Sequence, residues 1–399
     1  MNARRLLLLL AILILTALPL PSPPLSAAWQ RAKEQPPPKQ QTIAFVGVNV
    51  VPMDRERVLT AQTVVVENGR IAAMGPADKT AVPDGSLRVE ARGKYLLPGL
   101  ADLHVHLQVD EQDNLALFDL FLANGVTTIL NLYGTPHHLD LRERIRRGEL
   151  LAPSLHTSGP YISNAPYSSP SAEEVERMVV EQKRAGYDII KIHGDFSRET
   201  YRKLLEVARR EKIRVIGHAP RNLGIEVLLE ERQHAVAHSE EYLYAYFFKS
   251  GPGEDKAGNV PVIAEATAKA GVWVIPNLTA YKGIWMQAKD IVPVLKRPEV
   301  QYVPASIAED WAPERNTYVR RFNNPLSVRR FEESYRLLEA LVLQQTGTVA
   351  AGKRADLILL GANPLDDIRN TTKCEGVMAG GRWLPGSQLR QLLNKHTNR

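Results

Sequence analysis

His104 and His106 close the apolar run YLLPGLADLHVHL, one residue apart. Side chains alternate along a strand, so both imidazoles point to one face and Val105 to the other. Two imidazoles at a strand end can grip one metal ion from the same side. Alone, the pair fits two satisfied polar residues equally well. Three further apolar runs also end on such groups: Lys191 in DIIKIH, His218 in VIGHAP and His238 in AVAHSEE. A single histidine at a strand end is more often structural, but five groups closing four runs point to a metal site. The bland alternative for Lys191 is a buried lysine paired with an acid such as Asp195.

Other polar residues carry less weight. His193 follows Lys191 by two and shares its face on a straight strand, which makes it a candidate for touching substrate. Tyr242, Tyr244 and Tyr246 alternate with Leu243 and Ala245. Tyr242 is the candidate pocket wall, and an aromatic packing cluster is the equal alternative. His137 and His138 follow Thr-Pro and read as solvated loop residues. His234 starts the run that ends at His238, which puts it at the far end of that strand.

Positioning these groups takes a repeated architecture. From Thr42 to Leu97 short β segments alternate with turns, and Asn68-Gly69 between two β-rich runs is a hairpin signal. After Pro98-Gly99 the rhythm becomes apolar strand, loop and amphipathic helix. The strand-like runs are LADLHVHL, VTTILNLYG, SLHTSGPYI, YDIIKIHG, IRVIGHAP, HAVAHSEE and VWVIPNLTAY. Ser171 and Glu174 make a capping box, and Arg198–Lys212 carries Tyr201, Leu204, Leu205 and Ala208 on one helical face. Such alternation with near-continuous apolar strands predicts an α/β fold, a TIM-like parallel barrel whose carboxyl-terminal strand ends meet at one mouth. GTVAAGKRADLILLGANPLDD and CEGVMAGGRWL return to β character. They predict a small β-sandwich built from both chain ends, residues 42–97 and 346–387, flanking a barrel over 98–345.

The totals suit this plan. A chain of 399 residues accommodates a large domain and a smaller one, and 44% hydrophobic with 24% charged residues is ordinary for a globular protein. The net charge of +6 is mild and its Arg and Lys lie along solvated helix faces, which argues against a nucleic-acid partner. Cys374 is the sole cysteine, so no intramolecular disulfide and no thiolate cluster can form. Arg4 and Arg5 precede LLLLLAILILTALPL, and Ser26 and Ala28 make a small-residue cleavage pattern. The run is short for a bilayer span of ~20 residues. Residues 1–28 therefore read as a signal peptide cleaved after Ala28, with an uncleaved anchor as the lesser option. Residues 29–41 read as a Pro-rich tether. The expected location is periplasmic or secreted, with no membrane contact after cleavage.

The stretches GRIAAMG, KYLLPGLADLHVHL, YDIIKIHG, VIGHAP, AVAHSEE and GTVAAGKRADLILLGANPL resemble the amidohydrolase superfamily, in its imidazolonepropionase-like and prolidase-like branch. The resemblance runs from about Thr42 to about Leu384. It implies that His104 and His106 end strand one, Lys191 strand four, His218 strand five and His238 strand six, together holding one or two divalent ions, with Zn2+ the expected ion. It also implies a carboxylated Lys191, because an ammonium cannot ligate and a carbamate can. A bound ion lowers the pKa of water toward ~7 and polarises a carbonyl. The implied activity is metal-dependent hydrolysis of carbon–nitrogen bonds in a small molecule: amides, cyclic amides or dipeptide-like substrates.

The same resemblance calls for an aspartate at the end of strand eight, and the sequence supplies none. Asp356 in RADLILL belongs to the sheet domain, and Asp310 in IAEDWAP does not end a strand. The segment LSVRRFEESYRLLEALVL reads as one helix that leads almost directly into GTVAAGKRAD, so strand eight, its loop and its helix are missing. A barrel short of one strand leaves two edges unpaired. A naturally inactive variant, an internal loss from the coding sequence, or closure by residues 278–324 would each account for it; the Pro-rich character of that stretch favours the first two. The alternative function is accordingly a catalytically impaired, exported binding protein. The sequence leaves substrate and oligomeric state open.

Overall fold

A computed structural model of the chain describes residues 41–163, 170–249, 256–322, 324–342 and 356–396. The expected leader and nearly all of the tether, together with the GTVAAGKRA part of the C-terminal motif, lie outside these residues. The N-terminal β segments are β1 (Ile43–Val50), β2 (Leu59–Glu67), β3 (Arg70–Pro76), β4 (Leu87–Glu90) and β5 (Tyr95–Pro98). Asn68 and Gly69 join β2 to β3 with φ of 48° and 70°. Positive φ at both central residues is what a tight hairpin turn requires.

Seven longer or shorter strands follow with helices between them, plus the two-residue β9. They are β6 (Leu100–Val105), β7 (Val126–Asn131), β8 (Ser154–Thr157), β9 (Ile162–Ser163), β10 (Ile189–His193), β11 (Arg214–Gly217), β12 (Ala235–Ala237) and β13 (Trp273–Ile275). Every pairing among them is parallel, in the orders β6-β7-β8 and β13-β12-β11-β10-β9. A parallel bridge between Ser158 and Ile189, and the bond from the Asp188 N–H to the Thr157 carbonyl, link the two sheets.

Side-chain alternation sorts these strands into an inner and an outer face. Leu130, Ile189, Ile216, Ala235, Ala237 and Ile275 pack together on the inside. Ile190, Ile192 and Val215 face outward, against the helices Ala172–Ala185 and Arg198–Arg210. The first of these helices starts on the Ser171–Glu174 capping box, which satisfies two otherwise orphan N–H groups. Gly217 is required where β11 meets β10, since a Cβ there would lie 2.2 Å from the Ile192 carbonyl oxygen.

The ring of strands does not close among the described residues. Among the described residues no strand lies between β13 and β14 (Leu357–Leu360), and β6 and β13 are both edges. Closure by 278–324 is not observed. That stretch and its continuation form the helical segments Leu278–Lys289, Ile291–Leu295, Pro298–Tyr302, Ala305–Asp310, Thr317–Phe322 and Pro325–Val342. Asp310 is 74% exposed at the end of one of them, away from any strand. A cavity of about 600 Å³ occupies the breach, lined by Ala101–His104 on one side and Val274–Ala280 on the other. Leu100, Leu103 and Trp273 stand exposed on the two edge strands, at 39%, 45% and 65%.

β14, β15 (Cys374–Ala379) and β16 (Arg382–Pro385) return to the N-terminal strands: β14 pairs antiparallel with β5. Both chain ends thus contribute to one eight-stranded sheet. β5 bridges β1 and β14, so strands of both ends form one continuous hydrogen-bonded sheet, and the Phe45 ring of β1 meets the Trp383 ring of β16 at 5.0 Å. Gly99, just before β6, donates to the Asp356 carbonyl, tying the foot of the barrel to the sheet.

Adding a methyl at Gly217 forces β10 and β11 apart, so Gly217→Ala is expected to lower stability by about 1–3 kcal/mol in urea unfolding. Gly283→Ala, inside a helix where a Cβ meets nothing within 4 Å, is expected to be neutral or to gain up to about 1 kcal/mol. Equal effects of the two substitutions would contradict the close approach of β10 and β11.

Candidate functional site

The chemistry-bearing residues sit at the carboxyl ends of the parallel strands. Val105 packs outward with Ile129 and Leu155, which leaves His104 and His106 facing the other way. Their Nε2 atoms are 3.2 Å apart. Across the open side, the His104 ring lies 4.7 Å from that of His238, centroid to centroid, and His238 lies 4.6 Å from His218. The His193 ring is 4.1 Å from His218. Lys191, 2% exposed, points inward beneath them, between outward-facing Ile190 and Ile192. The structure therefore brings His104, His106, Lys191, His218 and His238 to one mouth, with His193 on its rim.

Backbone geometry holds His238 in place. It has φ of 73°, an uncommon conformation for a residue with a side chain. Its N–H donates to the Ile275 carbonyl, and the N–H and hydroxyl of Ser239 both donate to Pro276. These bonds to the β13 exit over-determine the turn and sustain the strain.

Burial keeps His104, His106 and His218 neutral. Loss of water, followed by the Lys191 charge, depresses His104 to about 2 and His106 to about 4. Burial and then His238 push His218 far below the ordinary histidine range. Neutral imidazole is the form that ligates a metal. Burial also lowers Lys191 to about 8, against the opposing pull of Glu241 and Glu240. Its Nζ has no hydrogen-bond partner among the described residues, and neither has His104 Nδ1 nor His238 Nδ1. Buried polar groups left without partners are costly, and here three belong to residues of one mouth. Asp195 accepts from the Asn222 N–H.

Two carboxylates at this mouth were not anticipated from the sequence. Glu241 is fully buried, with Oε1 2.6 Å from Arg221 Nη2 and 3.2 Å from His218 Nδ1. Arg221 Nε adds a second bond to Oε2 at 3.1 Å. Burial opposes its charge, but His238 and Arg221 outweigh that cost and hold the carboxyl below its usual range. One ligand atom each from His218, His238 and Glu241 lie within 4.8 Å of one another. Glu240 stands 3.4 Å from His238 Nδ1, and burial raises its pKa. The available signal was the spacing in AVAHSEE, where Glu241 lies one helical turn after His238 and so returns to its side.

Two sequence expectations are corrected. Tyr242 is wholly buried and shares a hydrogen bond of 2.9 Å with Thr267 Oγ1, so it packs in the core and does not wall a pocket. A phenol needs such a partner once it is buried. His138 is not a solvated loop residue: it is 1% exposed in the helix Pro136–Arg146. Its Nδ1 receives the Thr135 N–H and its Nε2 reaches the Gln108 carbonyl. Asp356 accepts from the Gly380 N–H in the sheet domain, away from the mouth.

The chain is 44% identical to an imidazolonepropionase from Micrococcus luteus over 80 residues, 18% of this chain and 19% of that one. Matches to curated relatives span only 13–22% of those proteins. Solved structures agree in fold over much longer stretches. A bottromycin amidohydrolase superposes with a TM-score of 0.65 at 20% identity, covering 94% of each chain. A Xaa-Pro dipeptidase with bound methionine gives 0.58 at 16% identity, covering 86% of this chain and all of that one. The profile of the amidohydrolase family matches residues 95–297, which spans β5 to β13 and every residue of the mouth, and on that match the chain belongs to the amidohydrolase family.

Proposed function

We propose that this protein is an exported, metal-dependent hydrolase of carbon–nitrogen bonds in small molecules, of the amide, cyclic amide or dipeptide-like class. The observation that carries the reading is the convergence of four imidazoles and a buried, unpartnered lysine amine at one mouth. The donor set fits a divalent cation, with Zn2+ favoured by its imidazole content. His104, His106, His218 and His238 would hold it, with Glu241 as a further carboxylate. A bound ion supplies Lewis acidity toward a carbonyl oxygen and toward water. The low pKa of Lys191 leaves part of its amine unprotonated near neutrality. That form can add to carbon dioxide, losing one proton and becoming a carbamate with anionic oxygens for the same site. Arg221 keeps Glu241 ionised and fixes its orientation through two parallel bonds.

A second reading has an observation of its own. The described residues place no strand-eight aspartate at the mouth, and the breach between β6 and β13 lies where it would stand. On this reading the protein binds its ligand without turning it over.

Protein dialysed without chelator is expected to retain about one or two divalent ions per chain by elemental analysis, and His218→Ala with His238→Ala to lose most of them. Absence of bound metal from the wild-type protein would remove the basis of the hydrolase. Product release from a panel of amides, lactams and dipeptides is expected, falling at least about 100-fold in His104→Ala. A metal-loaded protein inert toward the whole panel would favour the binding reading. Export rests on the leader alone; N-terminal sequencing of protein from the periplasm or medium is expected to begin at Trp29, and a chain starting at Met1 would argue for an anchor. No helix of the described residues is long and apolar enough to cross a membrane.

A further inference from the structure

The histidines of the mouth are joined on one side by rings that metal binding does not need. Tyr133 follows β7 and Tyr161 precedes β9, and both are large rings left 43% and 37% exposed. The His106 and Tyr133 rings lie 5.7 Å apart, Tyr133 and Tyr161 5.1 Å, and Tyr161 and His193 5.3 Å. Their planes differ by 37°, 30° and 32°, so the rings form a continuous tilted row and not perpendicular pairs.

The rings are carried on fixed backbone. The buried Asn131 side chain accepts from the Tyr133 N–H at 3.2 Å and donates to the Tyr133 carbonyl at 3.3 Å. At Gly134 a Cβ would fall 1.5 Å from the Ser158 carbonyl oxygen, so the exits of β7 and β8 are in direct contact. Gln182, also buried, donates to the Pro160 carbonyl at 2.7 Å and packs on Gly159, which sets the approach to Tyr161. Large apolar rings held rigidly at an open surface lower the ordering cost of binding. The nearby guanidinium of Arg221 is engaged by Glu241 and by the Tyr244 ring, 4.0 Å away.

We propose that Tyr133, Tyr161 and His193 form an aromatic subsite which receives a flat ring of the substrate beside the bond held at the mouth. The substrate class within the proposed activity, on which this inference rests, is then an amide bearing an aromatic group. Ring surface left exposed at Tyr133 and Tyr161 admits offset stacking, which a saturated ring of similar size cannot match.

The test reads binding and not turnover, so that it stands apart from the hydrolase itself. Benzamide and cyclohexanecarboxamide are titrated by NMR against the full mature protein carrying the metal it retains. Benzamide is expected to bind about tenfold more tightly. Tyr133→Ala with Tyr161→Ala is expected to erase that preference while metal content and thermal midpoint stay unchanged, and Tyr133→Phe with Tyr161→Phe to keep it. Equal binding of the two probes by wild type, no binding of benzamide, or a preference that survives the double alanine variant would each overturn the proposal. A failure of amide turnover with the probe preference intact would count against the hydrolase and leave the subsite standing.

Discussion

Glu241 is the one fully buried carboxylate in the ring of histidines, and the mouth is arranged around its charge. An ionised carboxylate without water is strongly disfavoured unless it is paired and hydrogen-bonded. Here Arg221 supplies two bonds and His218 approaches from the other side. The arrangement constrains both histidine strands, since Arg221 and His218 follow β11 while His238 and Glu241 follow β12. Their register, Ile216 opposite Ala235, sets the heights at which these groups meet.

The parallel sheet converts that local arrangement into a site. On three of the strands the inward polar groups of the mouth follow an inward apolar residue. Ile189 precedes Lys191 and His193, Ile216 precedes His218, and Ala237 precedes His238. Chain segments more than a hundred residues apart in sequence, such as those of His104 and His238, are brought into ring contact by this shared direction alone. The cost is desolvation, visible in the depressed basicity of every inward histidine for which a direction is resolved.

The breach beside His104 gives the same site an unusual wall. In a closed parallel barrel each edge is paired, but β6 and β13 end at a cavity lined by Asp102, His104 and Asn277 among others. Burial raises the Asp102 carboxyl above its ordinary range even so. The helices from Leu278 to Val342 take the place in the chain where a further strand would be expected, and Tyr281, Leu338 and Leu341 pack them onto the outer side of β12. The site is therefore walled by aromatic rings on the His106 and His193 flank and open between strands on the His104 flank.

Much of this was legible in the amino-acid sequence because it depends on short periods. Alternation at His104-Val105-His106 and at Lys191-Ile192-His193 decides which face each side chain takes, and Asn68-Gly69 and Ser171–Glu174 specify their turn and cap through bonds spanning at most three residues. Repeated strand-and-helix units imply a parallel sheet, and hence a common mouth. Tertiary structure alone decided what depends on distant partners. Tyr242 turned inward because Thr267 was there to take its hydroxyl, and His138 was buried because Asn131, Thr135 and Gln108 surround it. Glu241 became part of the centre through Arg221, twenty residues away, and the two chain ends merged into one sheet through β5 and β14. Local periodicity determines direction, whereas burial and pairing are set by whichever residues the fold brings alongside.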